Sequence, residues 1–112
     1  MNKFGWLHSL HTCCLSGRSD IEISHLHEKS FMLGKKVSGV LVLPMSHILH
    51  KAQHRDPAFW SKALPGENPK DWAIRLDDIW IARDLEGADL LFRDMQGRAD
   101  RPYMAALFER ER

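Results

Sequence analysis

Apolar positions in this chain recur first at helical spacing, then every second residue, then at helical spacing to the end. Over residues 3–11, Phe4, Leu7 and Leu10 with Trp6 alongside predict a short helix. Ser16-Gly17-Arg18-Ser19-Asp20 follows, a run of turn formers. Residues 21–26 alternate, with Ile21 and Ile23 against Glu22 and Ser24, which predicts a strand. Gly34, Lys35, Lys36 and Gly39 mark a basic loop, and the β-branched, apolar residues 39–43 predict a second, more buried strand. Pro44 is expected to end it, because proline cannot donate to a sheet ladder.

Ser46 stands where an N-cap is wanted for a helix over residues 47–54. Asp56-Pro57 signals another start, for a helix that stops at Pro65-Gly66, and Asn68-Pro69 repeats the signal. Over residues 70–85, Trp72, Ala73, Leu76, Ile79 and Trp80 share one face, with Asp71, Arg75, Asp78 and Arg83 mostly off it. Residues 86–89 are expected to end that helix. Leu90, Leu91, Phe92 and Met95 make a further apolar cluster, and Arg101-Pro102 opens a last helix through Tyr103, Leu107 and Phe108. The expected fold is α+β: a hairpin and a helix as a ββα unit, wrapped by additional C-terminal helices.

At 112 residues, the chain suits one domain, with 1–65 as its core region and 66–112 as a helical extension. Hydrophobic content of 44% and charged content of 28% are ordinary for a globular domain. No apolar run nears the roughly 18 residues of a membrane span. His8, Ser9 and His11 interrupt the apolar start, so no signal peptide is read there and a cytoplasmic protein is expected. Cys13 and Cys14 are adjacent, where a disulfide is strained, which fits a reducing compartment. Neither has a neighbour that would make it a nucleophile.

Charge and histidine change the picture. Net charge is +1, but residues 1–56 carry seven Lys/Arg against four Asp/Glu, and all seven histidines lie between His8 and His54. A positive, imidazole-rich half suits a phosphate-rich partner. Hydrolysis of a phosphodiester needs a deprotonated water and a cation for the charge on the leaving oxygen. His50 and His54, one helical turn apart, suit one divalent ion, and His25 on the preceding strand suits a general base. His47, Arg18, Lys35 and Lys36 are candidate phosphate contacts. His8 and His11 decorate the first helix, and the Trp72 stripe reads as core before dimer face.

At these residues the sequence resembles the HNH (ββα-metal) nuclease superfamily, and within it a phage and prophage branch that includes RecA-dependent recombination-enhancement nucleases. That branch reads Cys-x2-Cys-Gly, Ala-His-His, Gly-x-Lys, then Pro-Leu-Cys-x2-His-His-x3-His. This chain has Cys13-Cys14-Leu15-Ser16-Gly17, Ile23-Ser24-His25, Gly34-Lys35-Lys36, and a last stretch running from Pro44 through His47 and His50 to His54. The resemblance covers about residues 4–65.

The resemblance implies a phage- or prophage-encoded DNA endonuclease working in a bacterial cytoplasm, on single-stranded or recombination-associated DNA and without a membrane partner. It implies His25 as the base and His50 and His54 as ligands of a single divalent ion (Mg, Mn, Ni or Zn). Ser24 takes the place of a third ligand, a gap that its hydroxyl, His27 or water would fill. Carried over by position, the branch's structural zinc ligands fall on Cys13, Ser16, Ser46 and Leu49, so that zinc is expected to be absent. Trp6, Trp60, Trp72 and Trp80 are expected to supply core stability instead. The missing ligands keep a second expectation open: a catalytically inactive relative that binds nucleic acid or protein. A third is a metal-binding regulator with no nucleic-acid partner.

Overall fold

The structure, a computed structural model, describes residues 2–26 and 41–111. The expected basic loop, with His27, Lys35 and Lys36, lies outside the described residues. Among the described residues eight elements follow in order: α1 (Lys3–Ser9), β1 (Ile21–His25), β2 (Val42–Ser46), α2 (His47–Arg55), α3 (Phe59–Ala63), α4 (Pro69–Ala82), α5 (Leu85–Arg98) and α6 (Arg101–Arg110). This is an α+β arrangement: an antiparallel strand pair running directly into a helix, with further helices around it. No helix of the described residues is long and apolar enough to cross a membrane.

β1 pairs with β2 so that Ile21 faces Ser46, Ile23 faces Pro44 and His25 faces Val42. Pro44 therefore lies inside the strand that it was expected to end. Among the described residues β2 pairs with β1 alone, and proline is tolerated where its missing N–H points away from the partner strand. The outward carbonyl of Pro44 accepts the Cys14 N–H at 2.9 Å, which ties the turn after α1 to β2. All five residues of β2 are buried, and Leu43, Met45 and Leu49 sit at the centre of the core with Phe59, Leu64 and Leu76.

The helices α4, α5 and α6 each begin where a short polar side chain caps them. Asn68 accepts from the Lys70 N–H ahead of α4, and Asp100 from the Tyr103 N–H ahead of α6. Asp84 accepts from the Gly87 N–H, so residues 86–89 open α5 rather than closing α4. Gly87 suits that cap, since a Cβ there would collide with the Asp84 carboxylate. α4 instead ends at Arg83, in the left-handed conformation at φ 54°. Near Asp56 the helix starts later than its capping signal: Asp56 accepts from the Ala58 N–H and α3 begins at Phe59.

The inward face of α1 also differs from what periodicity predicts. Lys3, Trp6 and Leu7 are buried, while Phe4 is 39% exposed. Lys3 turns inward because its ammonium meets Asp77, a buried carboxylate on α4, at 2.7 Å. Buried charges persist when paired in this way. Trp6, Trp72 and Trp80 join the core, with Trp6 and Trp80 rings 5.4 Å apart; Trp60 packs at its edge.

Candidate metal centre

Glu22 and Ser24 share one face of β1, because strand side chains alternate, and α2 packs across that face. Glu22 is the organising residue. One of its carboxylate oxygens lies 2.8 Å from His50 Nδ1 and the other 2.7 Å from His47 Nδ1. Those hydrogen bonds, from His50 first and then His47, hold the Glu22 carboxyl below the usual carboxylate range. An ionised carboxylate only accepts, so both Nδ1 atoms carry the proton. His50 Nε2 is thereby turned away from Glu22 and toward His54.

His54 completes the array one turn further on. Its Nε2 lies 3.1 Å from His50 Nε2, and the ring centroids are 4.7 Å apart. Two ligands on one tetrahedral ion with bonds of about 2.0–2.1 Å stand about 3.3 Å apart. The pair therefore fits an ion with little movement, provided that the proton shared between the two Nε2 atoms leaves. A carboxylate on the far nitrogen of a ligating histidine is a common support of metal sites, fixing tautomer and ring orientation. Among the described residues, no group of three or more His, Cys, Asp or Glu is arranged to hold an ion. An ion placed here would find two nitrogen donors, both from α2.

Of the other expected site residues that are described, Ser24 and His47 lie beside the imidazole pair and His25 and Arg18 do not. Ser24 is fully buried and its hydroxyl donates to Gln53 of α2, so it is engaged beside the imidazole pair rather than in it. His25, one residue along, projects from the opposite face of β1. Its ring meets Phe4 of α1 edge-on, with centroids 5.7 Å apart. The expected convergence of His25 with His50 and His54 is corrected here: strand alternation that brings Glu22 and Ser24 to α2 turns His25 to α1. His47, exposed, joins the centre through Glu22. Arg18 lies elsewhere, its guanidinium 3.7 Å above the Phe108 ring, in an open groove of about 690 Å³ floored by Leu15, Ile48 and Met104.

Sequence reasoning passed over Glu22 and Gln53. The alternation that identifies β1 places Glu22 on the same face as Ser24, and that signal was sufficient to find it.

The positions carried over for a structural zinc form part of the core. The Ser16 N–H donates to Cys13 Sγ at 3.4 Å, and Cys13, Ser46 and Leu49 are fully buried. A hydrogen bond from the Cys14 thiol leads in pulling the Cys13 thiol down to about 5, while burial pushes Cys14 up. Both are shielded from solvent, so this polarity is turned inward.

Compared with known proteins, the chain matches no family model, no curated protein and no solved structure.

Proposed function

We propose that this protein is a divergent, divalent-metal-dependent DNA endonuclease of the HNH (ββα-metal) kind, with its ion on His50 and His54. The observation that carries this reading is the Glu22–His50–His54 array: two imidazole nitrogens 3.1 Å apart on consecutive turns, one backed by a carboxylate. A strand pair feeding directly into the ligand-bearing helix supports the ββα comparison. His50 and His54 would hold the ion, which would supply Lewis-acid stabilisation of charge on a leaving phosphate-ester oxygen. The chain's own part is to hold it: Glu22 keeps His50 in its ligating tautomer and ring orientation, and the helical turn keeps His54 beside it. An all-imidazole donor pair favours Zn, Ni or Co over Mg, which prefers oxygen.

A second reading, a non-catalytic module that binds nucleic acid or protein, is favoured by one observation. His25 packs on Phe4 and does not face the imidazole pair. Calorimetric titration with Ni²⁺, Zn²⁺, Mn²⁺ and Mg²⁺, followed by a plasmid-nicking assay with each, decides between them. Stoichiometric uptake that disappears in His50→Ala, together with nicking, supports the nuclease. Uptake without nicking supports the module. No uptake at all removes the metal reading.

A further inference from the structure

The outer flank of α2 carries Lys51 and Arg55, one turn apart, beside the imidazole stripe of His47, His50 and His54. A single carboxylate from beyond the end of α6 sits between them. Glu111 places one oxygen 3.3 Å from Lys51 Nζ and the other 3.2 Å from Arg55 Nη1. Lys51, with Arg55 behind it, holds that carboxyl below its usual range. A planar oxyanion thus already occupies the gap between an ammonium and a guanidinium.

We propose that Lys51 and Arg55 form a seat for a backbone phosphate of nucleic acid, and that Glu111 is an internal occupant which the phosphate displaces. Three considerations carry this. First, both ion pairs are longer than the 2.7–2.9 Å or so of well-made charge-assisted hydrogen bonds, and each cation holds only one oxygen. A phosphate, with more oxygens and more charge, serves both cations better. Second, the seat is open: the Arg55 side chain is 63% exposed and that of Lys51 39%. Surface ion pairs of this kind are weak, so displacement costs little. Third, location adds meaning. Lys51 lies one turn from both His47 and His54, so a strand seated here passes beside the imidazole pair.

The inference rests on the nucleic-acid reading of that site but not on hydrolysis. Phosphate contacts of this type position a strand without reading its sequence.

The test is fluorescence anisotropy with a labelled single-stranded DNA and a labelled duplex over a salt series. Wild type, Glu111→Gln and the double variant Lys51→Ala/Arg55→Ala are compared, with thermal melts to confirm folding. Glu111→Gln should tighten binding by about two- to fivefold, the scale of a surface ion pair removed from competition. The double variant should bind more weakly and lower the slope of log K against log salt by about 0.9 for each phosphate that is no longer neutralised. Glu111→Gln binding no tighter than wild type, an unchanged salt slope in the double variant, or preference for a polyglutamate peptide over DNA would each overturn the proposal. The metal reading fails separately, through absence of ion uptake at His50 and His54, to which Lys51, Arg55 and Glu111 contribute no donor.

Discussion

The Nε2 atoms of His50 and His54 face one another across 3.1 Å on successive turns of α2. Glu22 accepts from the far nitrogen of His50 and so fixes the orientation of that ring. That orientation has a measurable consequence.

Glu22→Ala should leave the fold intact, because Glu22 is about half exposed, yet weaken binding of Zn²⁺ or Ni²⁺ by about 10- to 100-fold, the usual effect of removing an outer carboxylate partner. Calorimetry at fixed pH measures it. Wild-type affinity in Glu22→Ala would mean that His50 is held by the helix alone.

His25→Ala tests whether His25 takes any part in the candidate site. Its ring rests against Phe4, so ion uptake should be unchanged and any nicking should stay within a few-fold of wild type. A drop of about 10²–10⁴-fold, the scale of general-base removal, would restore His25 to the active centre and require a different face of β1 to meet the ion.

Ser46 stands at the N-cap of α2 but makes no capping hydrogen bond, and its buried hydroxyl has no partner among the described residues. Ser46→Ala should therefore be neutral or stabilising in chemical denaturation, since it removes a desolvated polar group. Asp84→Ala, which deletes a working cap on Gly87, should instead cost about 1 kcal/mol. Equal destabilisation in the two variants would show that Ser46 is satisfied in solution.

Asp56 offers a pH test. Lys62, donating to one oxygen at 2.8 Å, and the Ala58 N–H, donating to the other, hold its carboxyl below the usual range. A depressed carboxylate contributes stability that is present above its ordinary value of 3.8 and disappears as pH falls through the lower folded value. Asp56→Asn keeps an acceptor for Ala58 but not the charge. The difference in melting temperature between wild type and Asp56→Asn should be present near neutrality and vanish in acid. A gap that persists in strong acid would place the effect in packing rather than in charge.

Much of the architecture was legible from local chemistry. Period-two alternation over β1, the Asn68-Pro69 start of α4 and the Arg101-Pro102 start of α6 are decided within a few residues, and each element stands where those signals put it. Residues 86–89 mislead because a glycine and acidic residues read as a helix stop, whereas here they form the first turn of α5, capped by Asp84. Pro44 misleads because tolerance for proline depends on whether a third strand lies alongside β2, which the residue itself does not record.

The sequence by itself determined that His50 and His54 are neighbours, since residues four apart on a helix must project together. It likewise determined that Glu22 and Ser24 share a face and that His25 takes the other. Which of those faces meets α2 was decided only in the tertiary structure. Packing of Trp6 and Leu7 into the core, with Lys3 drawn inward by Asp77, sets Phe4 of α1 against the His25 side of β1 and leaves the Glu22 side to the imidazoles. Alternation offers two faces of equal standing, and only burial of apolar surface from distant parts of the chain chooses between them.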